Sequence, residues 1–370
     1  MVTEEQVREA LKGVLDPEIG KPIDELGMLK GVSVQPDGTV RVQVLLTIAG
    51  CPLKDRINAD VTNAVAPLEG VTGVEVVLGE MSGDQRAGLV DQLRGGDGHG
   101  QPTFFTEGPT EVIAVASGKG GVGKSSVTAN LAVAMAAEGH RVGVLDADVW
   151  GFSIPRMLGV SGQPVAFNDM ILPLEAYGVK VISMGFFVPD EQPVIWRGPM
   201  LHKALQQFLG DVYWGDLDFL LVDMPPGTGD VSLSLATFLP SGSMVVVTTP
   251  QDAAAKVAER AGRMAQHPNV KLKLLGVIEN MAGFVCPHCG EITELFGTGG
   301  GQQTADALGV PFLGAVPTQV SLREGSDVGK PLVVDEPDSP AGAALRDLAT
   351  SLAKSAKTRV GKSLPLSVAR

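Results

Sequence analysis

Beyond residue 110 the chain repeats one pattern, a short apolar run followed by a stretch long enough for a helix. The runs are VIAVA (112–116), VGVL (142–145), KVIS (180–183), FLLV (219–222), MVVVT (244–248), LLGVI (274–278) and FLGA (312–315). Continuous apolar strands alternating with helices describe a sheet covered on both faces. The pattern therefore predicts an α/β fold with a mostly parallel sheet flanked by helices. Residues 1–80 read differently. A helix over 3–15 would place Val7, Leu11 and Val14 near one face. Strands at 29–35 and 40–48 flank the turn Pro36-Asp37-Gly38, a hairpin signal. A second helix fits 53–66, a third strand fits Val71–Leu78, and 84–94 is polar and helical. That is a small α+β unit. GGDGHGQP (95–102) is the clearest linker by its Gly and polar content. The expected organisation is thus a small domain at 1–94, a linker at 95–110, a larger domain at 111–353 and a tail at 354–370. Leu345, Leu348 and Leu352 recur at helical spacing and are expected in the core. No internal repeat shows at a solenoid period.

Composition narrows the classes. The formal charge is −13, from 29 basic and 42 acidic side chains, which argues against generic nucleic-acid binding. No window approaches the ~18 apolar residues of a membrane span, so no membrane partner is expected. The opening MVTEEQVREALKG is acidic where a signal peptide needs basic and then apolar residues. Three cysteines are too few to staple a chain of 370 residues, which points to a reducing cytoplasm. Residues 354–370 carry five basic and no acidic side chains. With Pro365 and few large apolar residues they suit a disordered tail better than an amphipathic anchor.

The sharpest chemistry is at Gly118-Lys119-Gly120-Gly121-Val122-Gly123-Lys124-Ser125, which fits G-x-x-x-x-G-K-[ST] directly after an apolar strand, with Ser126 opening a helix-compatible stretch. Glycines let successive backbone N–H groups turn toward one anion at a helix N-terminus. Lys124 would reach the β- and γ-phosphates of ATP, and the Ser125 hydroxyl would ligate Mg²⁺. Two further carboxylate sites end strands, where open α/β sheets place ligands. Asp223, in LVDMPPG, suits a carboxylate that holds Mg²⁺ through water beside Ser125. Asp146 and Asp148 follow VGVL. Each aspartate alone would also suit a helix N-cap. Gly227-Thr228-Gly229 would suit a switch that senses the γ-phosphate. Lys119 makes the loop resemble that of the MinD, ParA and nitrogenase iron-protein class. In that class the first lysine reaches the partner's nucleotide, which implies an ATP-dependent homodimer and a catalytic part for Lys119. Asp148 resembles the class's water-activating aspartate, and Asn280 its adenine-recognising asparagine; a strand-end cap is the alternative for Asn280.

Cys286-Pro287-His288-Cys289 is expected in a loop after the LLGVI strand. Two thiolates make half a metal site, and a redox dithiol, a zinc half-site and a chance pair are all open. In a dimer the pairs would offer four thiolates to one [4Fe-4S] cluster on the two-fold axis, with a bridging zinc as the next choice. Several segments together resemble the Mrp family of iron–sulfur carrier ATPases: SGKGGVGKSSV, LDADVWGFS, WRGPM (196–200), DMPPGTGD (223–230), VVTTPQD (246–252), ENMAGFVCPHCG (279–290) and FGTGGG (296–301). The resemblance covers 111 to about 335. It implies a homodimer that binds a labile cluster through Cys286 and Cys289. It also implies ATP-dependent transfer between a cluster assembly scaffold and apo iron–sulfur proteins. Phe152 departs from the proline usual there. The N-terminal unit resembles a small iron–sulfur assembly domain through Asp16-Pro17-Glu18, Leu26-Gly27 and 47–52, with Cys51 opening a helix where the dipole favours a thiolate. The closing Pro-Pro-Trp of that domain is replaced by GEMSGDQR (79–86). A MinD- or ParA-like positioning ATPase is the rival class. It needs a basic face or an amphipathic end, and neither is evident.

Overall fold

A computed structural model describes residues 2–47, 53–93, 110–168, 170–187, 198–239, 242–267, 270 and 272–357. The chain divides into two units, one of 1–100 with 165–172, the other of 101–164 with 173–370. Residues 95–109 of the expected linker, Cys51, Trp196, Arg197 and residues 358–370 lie outside the described residues.

The first unit opens with α1 (Glu4–Leu11), followed by β1 (Leu29–Val34), β2 (Thr39–Leu46), α2 (Lys54–Val65), β3 (Gly73–Glu80) and α3 (Gly83–Leu93). Thr3 caps α1 reciprocally with Gln6. The helix ends at Leu11, not at residue 15. Gly13 lowers helix propensity and Pro17 keeps Asp16 extended, so Val14 reaches the core from outside the helix. Strands β1 and β2 pair antiparallel around the predicted turn, and β3 joins β2 in parallel, with Thr39 opposite Gly73. Asp16 is buried and accepts the N–H groups of Glu18 and Ile19, so the Asp-Pro-Glu marker is a capped turn.

In the larger unit β4 (Glu111–Ser117), α4 (Lys124–Ala137), β5 (Val142–Asp146) and α5 (Ile154–Met157) come first. The hairpin of β6 (Val165–Phe167) and β7 (Met170–Leu172) belongs to the first unit. Then come β8 (Leu174–Ala176), β9 (Val179–Ser183), α6 (Gly198–Gly210), β10 (Phe219–Asp223), α7 (Asp230–Phe238), β11 (Ser243–Thr248) and α8 (Asp252–Ala265). The chain continues through β12 (Lys273–Val285), β13 (Ile292–Thr293), α9 (Gly300–Leu308), β14 (Phe312–Thr318), α10 (Val320–Val328), α11 (Leu332–Asp335) and α12 (Pro340–Lys357). The seven predicted apolar runs are β4, β5, β9, β10, β11, β12 and β14. They form the parallel heart of a nine-stranded sheet ordered β13-β12-β11-β4-β10-β5-β9-β8, with β14 also on β12. The short strands β8 and β13 run antiparallel to their neighbours, which makes the sheet mixed. Neither is long enough to show a pattern in the sequence.

Register decides where the chemistry falls. Asp223 pairs with Val115 on β4 and with Asp146 on β5, while Asp146 pairs with Ser183 on β9. Ser117 pairs with Val247, and Glu279 with Thr248. The polar residues that end these strands therefore form one row along the C-terminal edge, where an α/β sheet presents its ligand site. Beneath the row, α4 is buried almost all round by the sheet and α12. Its Ala-rich sequence allows that close packing. Leu345, Leu348 and Leu352 of α12 are buried as expected, and α12 continues to Lys357, four residues into the stretch expected to be tail. FGTGGG is not a second phosphate loop. It leads into α9, where a Cβ on Gly300 would lie 2.4 Å from the Pro250 carbonyl oxygen and one on Gly301 2.6 Å from the Glu279 Cβ.

Leu345→Ala should cost about 2–5 kcal/mol, because it opens a cavity in this core. Leu15→Ala, at a half-exposed position, should change stability by less than about 0.5 kcal/mol. Denaturant titration of both variants checks the contrast.

Candidate functional site

The segment after β4 turns sharply into α4, and two glycines show why the sequence needs them. A Cβ on Gly118 would sit 2.3 Å from the Val257 carbonyl carbon of α8. Gly123, with φ of 77°, caps α4 in the left-handed region, and a Cβ there would lie 2.2 Å from the Asn280 amide nitrogen. The loop borders a cavity of about 410 Å³ lined by residues 117 and 119–126, and by Asp148, Trp150, Gly151, Ser153, Met157 and Pro226. It has the concave form, helix N-terminus and glycine backbone of a phosphate cradle.

Asp223 is the hub. It has no exposed surface, and its Oδ1 accepts from Lys124 Nζ at 2.7 Å and from Thr128 Oγ1 at 2.9 Å. Its Oδ2 accepts from Ser125 Oγ at 2.6 Å. The hydroxyl and the carboxylate expected to share Mg²⁺ are thus already side by side, and both are hard oxygen donors of the kind Mg²⁺ takes. Lys119 also lines the cavity, where its Nζ donates to Gln251 Oε1 at 3.2 Å. Gly227 N donates to the Ser117 carbonyl at 2.8 Å, which ties the Gly-Thr-Gly segment to the end of β4. Thr128, Gln251 and Trp150 escaped sequence reasoning. Thr128 had a signal, since it lies one helical turn after Lys124 and so shares its face. Trp150 is 71% exposed although it borders the cavity.

Asp148 borders the cavity, and its Oδ1 accepts the backbone N–H groups of Trp150 (3.3 Å) and Gly151 (3.1 Å). Asp146 lies behind it, fully buried. Its Oδ1 accepts from Asp148 N, and its Oδ2 from Ser153 N, Ile154 N and Ser183 Oγ. Burial first, then the negative charge of Asp223, push its carboxyl up to about 7, against the opposing pull of Lys124 and of the N–H donors of Ile154 and Asp148. Phe152 packs where a Cβ on Gly185 would meet its ring at 2.4 Å, so the aromatic ring fills the space left by that glycine. Asn280, expected at the adenine, is buried, and its amide donates to the Val122 carbonyl at 2.9 Å, bracing the phosphate loop from behind.

The cysteine pair lies in a turn after the LLGVI strand, as expected, but that strand is longer than its apolar run. Strand β12 extends past LLGVI to Val285, because β13 and β14 both pair with its second half. Cys286 and Cys289 then occupy a tight turn at the tip of the β12–β13 hairpin, with Gly290 N bonded to the Cys286 carbonyl and Cys286 N to that of Glu291, each at 2.9 Å. Cys289 is exposed and Cys286 half-buried. The backbone N–H groups of Cys289 and then His288, followed by the Cys289 side chain, hold the Cys286 thiol below its usual range. That is the chemistry of a sulfur ready to act as a thiolate ligand. No group of three or more His, Cys, Asp or Glu side chains placed to hold a metal occurs among the described residues, so one chain offers a half set here. Ile292, Leu295 and Phe296 lie exposed just beyond the turn.

A glycine loop with Lys124 at a helix N-terminus, at the C-terminal edge of a parallel sheet, defines a nucleotide-binding P-loop ATPase. Residues 108–353 match the ParA family model described as NUBPL iron-transfer P-loop NTPase, and 4–76 match that of an iron-sulfur cluster assembly protein. The chain belongs to this iron-transfer P-loop NTPase family. A relative from Mycobacterium tuberculosis (strain ATCC 25618 / H37Rv), named iron-sulfur cluster carrier protein, is 50% identical over 371 residues, 98% of this chain and 97% of its own. Among solved structures, a nucleotide-binding protein from Archaeoglobus fulgidus in complex with ADP is 40% identical, with a TM-score of 0.53 over 62% of this chain and 89% of its own. The septum site-determining protein MinD from Pyrococcus horikoshii, complexed with Mg-ADP, shares the fold at 24% identity, with a TM-score of 0.50 over 68% of this chain and 98% of its own. No described helix is long and apolar enough to cross a membrane.

The position of Asp146 has a pH signature. Unfolded, its carboxyl loses a proton near 3.8; folded, near 7. Between those values unfolding releases a proton, so this group's contribution to stability falls as pH rises from about 4 to 7 and is flat outside that window. The unfolding midpoint of wild type relative to Asp146→Asn should therefore fall across that window; a constant difference would contradict the burial argument.

Proposed function

We propose that this protein is an ATP-dependent iron–sulfur cluster carrier that works as a homodimer in the cytoplasm. The observation that carries the reading is the cysteine turn on β12. It holds two thiols, one exposed and one half-buried and favoured as thiolate, and among the described residues they make half of a four-thiolate set. Two chains meeting at this turn complete the set for a [4Fe-4S] cluster, which is cargo. The clients are apo iron–sulfur proteins, and the donor is a cluster assembly scaffold. The carrier name of the Mycobacterium tuberculosis relative, 50% identical over nearly the whole chain, supports this.

The roles on the nucleotide side follow from charge and position. The loop's N–H groups and Lys124 bind the phosphates, and Lys124 exchanges Asp223 for them. Ser125 and Asp223 hold Mg²⁺, which supplies charge neutralisation at the phosphates. Asp148, at the cavity wall, orients the attacking water. Lys119 leaves Gln251 for the partner's nucleotide when two chains close.

Anaerobic reconstitution tests the carrier. Wild type should load iron and sulfide with a visible charge-transfer band, and Cys286→Ala should not; equal loading of both would sink the site. Lys124→Ala should lower ATP turnover at least about 100-fold, since it removes the cation that meets the transferring phosphoryl group. Its cluster loading should stay near wild type, which phosphate release and iron assays read separately.

A further inference from the structure

The two chemistries of this chain share one strand. Asn280, on β12, is 4% exposed and donates its side-chain N–H to the Val122 carbonyl at 2.9 Å. The contact is tight, since only a glycine fits at 123 beside that amide. Six residues further on, directly after the end of the strand, comes Cys286. Between them the strand is irregular. Asn280 pairs with Val316 and Phe284 with Thr318, so β12 advances from 280 to 284 while β14 advances only from 316 to 318. The excess is taken up at Met281–Gly283, where Met281 has φ of 60° and Gly283 φ of 106°. Beyond the bulge the ladder is regular again, with Phe284 opposite Thr293 and Val285 opposite Ile292, so the hairpin carrying the cysteines hangs from it as a paired piece.

A non-glycine residue at positive φ stores about 1–3 kcal/mol and persists only where its surroundings impose it. A bulge re-aims the strand beyond it. A buried amide that loses its acceptor costs about 1–3 kcal/mol, so when the loop closes on phosphate and the Val122 carbonyl turns, Asn280 has to follow. We propose that Asn280 is a positioning residue that carries the nucleotide state of the phosphate loop, through the bulge at 281–283, to the Cys286–Cys289 turn. Its biological meaning rests on the carrier reading, but the coupling itself is a property of the metal-free chain.

The test uses the reduced, metal-free full chain. Alkylation of Cys286 and Cys289 by iodoacetamide is followed by peptide mass spectrometry, with and without saturating Mg²⁺ and a non-hydrolysable ATP analogue. In wild type the nucleotide should change the alkylation rate about five-fold or more, the lower end of ordinary coupling between sites. Asn280→Ala should reduce that change to less than about two-fold, measured at a nucleotide concentration that saturates the variant. Met281→Gly leaves the Asn280 contact in place but relaxes the bulge, and should weaken the response with nucleotide affinity unchanged. It decides the matter alone if Asn280→Ala does not bind nucleotide. Thiols that react at the same rate with and without nucleotide in wild type would overturn the proposal. So would a full response in both variants. Loss of discrimination between ATP and GTP in Asn280→Ala, with the thiol response intact, would make Asn280 a base-reading residue and end the relay. A nucleotide-sensitive turn in a chain that never loads iron would instead defeat only the carrier reading.

Discussion

A single buried carboxylate holds the phosphate site together. Asp223 accepts from Lys124, Ser125 and Thr128, all on the first turns of α4, and does so from the end of the strand that pairs with both β4 and β5. A lysine buried beside the sheet would be costly without that partner, and a carboxylate with no exposed surface would be equally so without the lysine. Their mutual dependence fixes the start of α4 against β10, and with it the curvature of the glycine loop. The same carboxylate raises the proton affinity of Asp146 on the next strand, whose acceptor bonds gather the segment bearing Asp148 and Trp150.

The cysteine turn has the opposite character. It lies at the tip of a hairpin, largely exposed, with backbone N–H groups turned on one sulfur and no further protein ligand within the described chain. An open half set suits cargo that must leave, whereas a structural metal site encloses its ion with four ligands. Strand β12 passes from the buried back of the phosphate loop to this exposed tip. One stretch of chain thus joins a dry environment at Asn280 to an open one at the cysteine turn.

Much of this was legible in the residues. The glycine loop, the strand-ending aspartates and the seven apolar runs are local patterns, and each falls on the predicted element because buried parallel strands need unbroken apolar sequence. The misses have physical causes. The first helix stopped at Leu11, two residues before Gly13, while the apolar periodicity ran on to Val14. Strand β12 ran long because pairing partners at 292–293 and 312–318, distant in sequence, extended it. Strands β6, β7, β8 and β13 are too short to leave a period.

The sequence by itself determined the class of chemistry: a phosphate loop at 118–125, aspartates at the strand ends beside it, and a pair of cysteines two residues apart. Residue type and spacing suffice there, because backbone N–H groups, lysine and thiolate behave the same wherever a loop or turn presents them. Only the tertiary structure decided which atoms meet. It joined Lys124, Ser125 and Thr128 to Asp223, parked Lys119 on Gln251, and turned Asn280 toward the Val122 carbonyl. Those contacts span about a hundred residues or more of chain. They are set by sheet order and register, and no local pattern encodes either.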